Sequence, residues 1–365
     1  MEKTKVLVTE AGRATGINFC RSLQLAPEEI ETVGLEKDQF SIFNSVADRT
    51  ILMPDITQGT EEFFDFLDHV IEEEKPDLLY PAKTNTVLWE ISKRRKQLKT
   101  RVFLPEHSKI ELFEDKFATA DLWEKAGIKV PRGMLIKDES DLRHAFRELG
   151  KEIWLRKLVG SGGAGSIATD NFDLARAWID RFNGWGNFMA AEVLTKEMAT
   201  WSALWKDGDL VVSQIRKRLF WEFPYLSPSG VTGISGAQVT TKDPQIDEIS
   251  MAAIKAVDDK PEGIISLDYT YDHEGIPNPT EVQASRFYTS VNFMAQAGLN
   301  LPHIFLKLAL GKEVPHFEDK FSPLPEGLVW IKYIEREPVL TTMADIRRNV
   351  DQLRVLQEQI KQKRG

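Results

Sequence analysis

Along the first hundred residues, short apolar runs alternate with amphipathic stretches: "KVLVT", "ETVGLE", "RTILMP", "DLLYPA" and "RVFLP". Helical periodicity separates several of them, most clearly in "EEFFDFLDHVIEE", Glu61 to Glu73. Strand-length runs alternating with helices predict βαβ units and an open, doubly wound parallel sheet. In the first βα turn, "VTEAGRATG", Gly12 and Gly16 stand between strand and helix, a place that can receive a phosphate. The full dinucleotide spacing is missing, and Glu10 would repel an anion.

From about Phe113 the pattern changes. "EDKFATADLWEKAGIKVP" predicts a helix ended by Gly127, and "KDESDLRHAFRELGK" a second one with an Asp or Ser cap. "TDNFDLARAWIDRF" predicts a third, with Asp170 as its cap. The following segments are β-rich: "FMAAEVL", a hairpin about Asp207-Gly208, and a second hairpin in "GIISLDYTYDHEGIPNPTEVQ". Between them lies "PYLSPSGVTGISG", Pro224 to Gly236, a long loop that is either functional or mobile. After "LPHIFLKLALG" come one strand, "LVWIKYI", and a charged helix, Met343 to Lys363, with a seam of Ile346, Val350, Leu353 and Ile360.

At 365 residues the chain is too long for one compact core, so several domains are expected. A net charge of −9 argues against non-specific nucleic-acid binding, and the basic run "SKRRKQLKTR" reads as a solvated helix face. The lone cysteine, Cys20, excludes a disulfide framework and fits a reducing compartment. The histidines lack the spacing of a zinc site. With neither an apolar signal core nor a membrane-length apolar stretch, the expectation is a soluble cytoplasmic protein.

Two stretches carry chemistry. In "EIWLRKLVGSGGAGSIATD", Arg156 and Lys157 end an apolar run and lead into GSGGAGS, four glycines and two serines in seven residues. A dinucleotide fold would start a helix at the last glycine, but "SIAT" is strand-like, so the loop reads as the tip of a strand–loop–strand flap. Such a tip can close backbone N–H groups on phosphate oxygens; a mobile surface hairpin is the alternative. In the second hairpin, a turn centred between Glu274 and Gly275 sets Asp268 opposite Glu281, with Gln283 on the same face. Three hard oxygen donors suit Mg²⁺; a solvated acidic face is the alternative. A slip of one residue would separate the pair.

A glycine flap upstream of an Asp/Glu/Gln hairpin resembles the ATP-grasp superfamily, in the branch of the carbamoyl-phosphate-synthetase large subunit and its stand-alone carboxylate–amine ligase relatives. The resemblance covers the chain to about Gly311. It implies a pre-ATP-grasp α/β domain over 1–108, a nucleotide-binding small lobe over 109–189, a large lobe with the metal site over 190–312, and a C-terminal strand and helix over 313–365. It implies phosphate contacts from Lys116, Arg156, Gly160, Ser161, Gly162, Gly163, Gly165 and Ser166. Adenine recognition falls to Glu192, Val193 and Leu194, and ribose binding to Glu197. The metal ligands are Asp268, Glu281 and Gln283, and Arg286 faces the acyl phosphate. Two departures stand out: Glu-x-Gln replaces Glu-x-Asn, and "QASR" replaces Asn-Pro-Arg.

The resemblance implies ATP, with Mg²⁺ (or Mn²⁺ in its place), and chemistry in which a small carboxylate is phosphorylated and then joined to an amine. Arg216 and Arg218 share one face of the strand "QIRKRLF" and could help Arg286 hold the carboxylate; plain surface cations are the alternative. Two other readings stay open, a carbamoyl-phosphate-synthase-like phosphorylation and a nucleotide-binding module without turnover. Neither nucleic acid nor membrane is an expected partner, and a homodimer is left open.

Overall fold

The computed structural model describes residues 3–54, 56, 57, 59–82, 86–160, 163, 165–333, 336–348, 351 and 362. In the N-terminal region β1 (Thr4–Thr9), β2 (Ile30–Glu36), β3 (Arg49–Leu52) and β4 (Leu78–Pro81) form a parallel sheet in the order β3-β2-β1-β4. Around it lie α1 (Ala14–Leu23), α2 (Glu61–Glu74) and α3 (Thr86–Arg94). The central run "VLV" is apolar throughout because both faces are covered. Val6 and Val8 pack with Phe19, Cys20 and Leu23 of α1, whereas Leu7 faces Phe63, Leu67 and Ile71 of α2. The fifth run, "RVFLP", makes no strand of its own. It offers one bridge, Leu78 to Arg101, and its Phe103 and Leu104 are buried.

Two helices, α4 (His107–Glu114) and α5 (Lys116–Lys125), lead into a small antiparallel sheet. Its strands are β5 (Gly133–Ile136), β6 (Ile153–Lys157), β7 (Ile167–Thr169) and β8 (Phe188–Glu192), in the order β5-β8-β6-β7. It is backed by α6 (Glu139–Glu148), capped by Asp138, and by α7 (Phe172–Arg181). The cap of α7 is Asn171 rather than Asp170: its side chain accepts from Leu174 N at 3.0 Å.

The largest sheet has seven strands in the order β13-β12-β9-β10-β11-β14-β15, all antiparallel. They are β9 (Met198–Lys206), β10 (Asp209–Trp221), β11 (Ser235–Thr241), β12 (Gly263–Tyr271), β13 (Pro277–Ala284), β14 (Leu328–Tyr333) and β15 (Arg336–Thr342). The turn between β9 and β10 is the expected Asp207-Gly208, both at positive φ, 54° and 90°. The helices α8 (Pro244–Val257), α9 (Asn292–Gln296) and α10 (Leu301–Ala309) complete this region. β15 was not expected: "REPVLTT" carries Pro338, which suits the sheet edge it occupies and breaks the alternation that marks a strand. Of the C-terminal seam, Ile346 lies in a short helical stretch after β15, and Val350, Leu353 and Ile360 lie outside the described residues.

Aromatic packing joins the N-terminal sheet to the segment after β13. The Phe19 and Tyr80 rings stack at 3.8 Å, Phe287 and Phe305 close the group, and the Tyr80 hydroxyl accepts from Phe287 N at 3.0 Å. Asn18 donates to the Thr289 carbonyl at 2.8 Å. The first βα turn is therefore held against the residues that follow β13. Gly12 is required there because a Cβ would stand 1.9 Å from the Ser41 carbonyl oxygen, a backbone atom that cannot swing away. Gly12→Ala is expected to lower stability by about 1–3 kcal/mol, the cost of overpacking, read as a lower urea midpoint at unchanged slope.

Candidate active site

Strand register builds the floor of the site. Glu281 pairs with Asp268, Asp268 with Thr200, Thr200 with Arg216, and Arg216 with Thr240, one row across five strands. Neighbours in such a row stand about 5 Å apart on the same face. The carboxylates thus lie at one end and Arg216 two strands beyond Asp268. Asp268 Oδ1 accepts from the Thr200 hydroxyl at 2.6 Å, and the Gln283 amide donates to Oδ2 at 3.4 Å.

The Asp268–Glu281 pairing arises differently from the sequence expectation. The turn closes between Asp272 and Ile276, with the Asp272 carboxylate accepting from the backbone of Glu274 and Ile276, both at 2.9 Å. That turn pairs Tyr271 with Pro277 and Tyr269 with Pro279, a register that would set Asp268 against Thr280. A β-bulge at Thr280 inserts one residue and brings Glu281 opposite Asp268. The Thr280 hydroxyl fastens it, donating to the Asp268 carbonyl at 3.0 Å.

The glycine loop joins β6 and β7, which pair antiparallel, so it is the tip of a strand–loop–strand flap. Gly160, Gly163 and Ser166 line the cleft; Gly165 is held by Trp178, whose indole donates to its carbonyl at 3.0 Å; Ser161 and Gly162 lie outside the described residues. Gly163 sits at φ 71°, where a Cβ would stand 2.4 Å from the Val231 carbonyl, so the flap touches the Pro224–Gly236 loop across the cleft. Lys116, the first residue of α5, is positioned by the Asp115 cap. Its ammonium is buried, donates to the Gly160 carbonyl at 2.8 Å and lies 3.8 Å from Glu281. Burial lowers its pKa, and Glu281 opposes that shift. Burial likewise depresses Arg156 against the pull of Glu281, and its buried Nε meets no partner among the described residues.

A cleft of about 1100 Å³ runs between the lobes, over this row. Glu192, Val193 and Leu194 line it, but the Glu192 carboxylate is committed to Arg132, at 2.9 Å to its backbone N and 3.1 Å to its guanidinium. Glu197 is exposed and does not line the cleft, although Lys196 and Met198 do. Arg216, Arg218 and Arg286 all line it. Arg218 donates to Ser235 at 2.9 Å and stacks on Trp221 at 3.6 Å. Burial lowers its pKa while Asp268 raises it, and a guanidinium stays charged at neutral pH. Arg286 follows Ser285, whose φ of 76° turns the chain out of the strand.

Several contributors escaped sequence reasoning. Glu10, Arg13 and Thr15 of the first βα turn reach the cleft. That turn takes no phosphate on Gly12, because the buried Glu36 carboxylate already accepts from Gly12 N at 2.7 Å. Glu114 is 8% exposed at the end of α4, under the influence of Arg286, Lys116 and Glu281. Desolvation raises its pKa to about 7. Nothing in "ELFEDK" signals that burial, which comes from packing against β13. The facing carboxylates with Gln283 form a hard donor set that fits Mg²⁺, whose remaining ligands are water and phosphate. No group of three or more His, Cys, Asp or Glu converges among the described residues, so the protein's share would be two carboxylates and an amide.

No family model and no curated sequence matches the chain. Solved structures do. N5-carboxyaminoimidazole synthetase from Staphylococcus aureus, complexed with ADP, is 14% identical with a TM-score of 0.67, over 91% of this chain and 83% of that one. L-amino acid ligase from Bacillus licheniformis is 13% identical with a TM-score of 0.67, over 90% and 79%. The biotin carboxylase domain of Hydrogenobacter thermophilus 2-oxoglutarate carboxylase, in complex with MgADP, ADP and bicarbonate, is 16% identical with a TM-score of 0.67, over 91% and 74%. The fold is therefore the ATP-grasp fold that the sequence resemblance implied. Among the described residues no helix is long and apolar enough to cross a membrane.

Because the Glu114 pKa is raised in the folded state, the fold binds a proton there that the unfolded chain releases, and stability falls as pH rises from about 4.5 to about 7. Glu114→Gln should remove that fall. Urea unfolding at pH 5 and pH 8 is expected to show the variant losing less stability than the parent between them, by up to about 3 kcal/mol.

Proposed function

We propose that this chain is an ATP-dependent ligase that activates a small carboxylic acid as its acyl phosphate and joins it to an amine. The observation that carries the reading is the Glu281–Asp268–Thr200–Arg216 row beneath one cleft, with Lys116 and Arg156 between its acidic end and the glycine flap. Acid and amine are both taken as small molecules, in keeping with the size of the cleft. The structures sharing the fold, determined with ADP or MgADP, support the nucleotide and the ion.

A carboxylate is a poor acyl donor because oxide would have to leave. Attack of its oxygen on the γ-phosphorus of ATP breaks the bond to the bridging oxygen, releases ADP and leaves an acyl phosphate. The amine nitrogen then attacks the acyl carbon, inorganic phosphate departs, and the nitrogen loses its proton. Phosphoryl transfer asks mainly for positioning and charge neutralisation. Lys116 and Arg156 supply fixed positive charge beside the flap, whose amides can surround phosphate oxygens. Asp268, Glu281 and Gln283 would hold Mg²⁺, or Mn²⁺ in its place, which when bound neutralises phosphate charge. Arg286 orients the acid and stabilises the oxyanion formed on amine attack. Val193 and Leu194 offer backbone groups to the base, and the Pro224–Gly236 loop meets the flap at Gly163, as a lid that keeps water from the acyl phosphate would.

Substrate-dependent ADP release across a panel of carboxylic and amino acids tests the reading. Turnover is expected with at least one acid–amine pair, and ATP binding without acid-dependent ADP would leave a nucleotide-binding module. Glu281→Ala should lower turnover at least about a hundredfold, the rate equivalent of losing several kcal/mol of charge stabilisation, at an unchanged melting profile. Activity retained in that variant would remove the metal assignment.

A further inference from the structure

Next to the proposed phosphoryl-transfer centre, Arg216 and Tyr288 line the cleft with polar atoms to which the steps above give no partner. Arg216 is 4% exposed, and its Nε and Nη1 meet no hydrogen-bond acceptor among the described residues. Its guanidinium lies over the Tyr288 ring at 4.1 Å. The Tyr288 hydroxyl, also in a residue 4% exposed, has Arg216 as its polar neighbour and accepts from no other group among the described residues. Behind them, strand pairing sets Gln238 beside Arg218 and Trp330 beside Gln238. Gln238 and Trp330 are both fully buried, and neither the Gln238 amide nor the Trp330 indole N–H has a partner among the described residues. Trp330 and Tyr288 belong to one packed cluster, where Trp330 stacks on Phe293 at 5.6 Å.

Leaving a buried donor unpaired costs about 1–3 kcal/mol, and a buried charge costs more. Arg216 and Tyr288 line the cleft, where a ligand can relieve that cost, whereas Gln238 and Trp330 lie behind them and do not line it. Toward the cleft the pair offers two guanidinium N–H groups and a phenol. Burial holds the Tyr288 phenol at a pKa of about 12, so it stays a donor at neutral pH. Donors around one fixed cation select an anion, and planar guanidinium geometry selects a carboxylate.

We propose that Arg216 and Tyr288, backed by Gln238 and Trp330, form a subsite for a second carboxylate of the acid substrate, which makes that substrate a dicarboxylic acid. The proposal rests on the ligase reading above. The register supplies the spacing, because Arg216 stands two strands, about 10 Å, from Asp268. The extended Arg216 side chain takes up much of that separation, so a short dicarboxylate can lie with one end at Arg216 and the reacting end beside Arg286 and the phosphate.

The test compares matched acids, butyrate with succinate, pentanoate with glutarate, and norvaline with glutamate. Binding to the full chain is read by calorimetry in the presence of Mg²⁺ and a non-hydrolysable ATP analogue, and turnover by ADP release. At least one dicarboxylate is expected to bind roughly tenfold or more tightly than its partner, the discrimination that unpaired polar groups in a site impose. Tyr288→Phe and Gln238→Leu should each shrink that ratio, chiefly by weakening the dicarboxylate. Equal binding within every pair would overturn the subsite even where a monocarboxylate drives ADP release, which would leave the ligase reading standing. A preference unchanged in both variants would also overturn it. A dicarboxylate preference in binding, lost in the variants but with no ADP from any acid, would uphold the subsite and sink the ligase.

Discussion

One β-bulge decides whether this cleft has an acidic pair at all. The five-residue closure at Asp272–Ile276 imposes a register that would turn Glu281 to the opposite face from Asp268. The extra residue at Thr280 corrects this, and the Thr280 hydroxyl ties the bulge to the strand it corrects. Everything downstream in the site is measured from that point. Gln283 returns to the same face by strand periodicity, and Thr200 fixes the Asp268 rotamer from the next strand. Bulges re-aim side chains at the price of a disturbed ladder, and this one lies where two carboxylates must meet.

Around that pair the protein concentrates buried and half-buried positive charge. Lys116, Arg156, Arg216, Arg218 and Arg286 all face the cleft, and desolvation lowers the pKa of Lys116, Arg156 and Arg218. The only carboxylate within ion-pair distance of Lys116 among the described residues is Glu281, at 3.8 Å, too far for a strong pair. Lys116 and Arg156, held this way, are poorly compensated among the described residues, which suits them to a polyanionic ligand. The same low-polarity surroundings that make their burial costly strengthen their hold on phosphate.

The N-terminal sheet bears on the site through aromatic contacts more than through chemistry. Tyr80, Phe19, Phe287 and Phe305 fix the chain just after the Arg286 turn against the N-terminal sheet, and the first βα turn lines one part of the cleft. That turn has the shape of an anion-binding loop, yet Glu36 fills it from within. The result is a wall carrying Glu10 and Arg13 where a phosphate cradle might have been.

The alternation of runs gave the parallel sheet, the helix periodicities gave most helices, and "LRKLVGSGGAGS" announced a flap because no helix follows it. These are local signals, set by side-chain period, caps and turn residues within a few positions. The Asp268–Glu281 pairing was legible too, although the bulge that produces it was not, since a bulge depends on both strands. What only the tertiary structure decided is non-local: the row that carries Arg216 to the same face as Asp268, the commitment of Glu192 to Arg132, the exposure of Glu197, and the burial of Glu114, Tyr288 and Gln238. Each depends on which strands become neighbours and what packs over them. Sequence proximity says nothing about that, because the partners lie tens to hundreds of residues away.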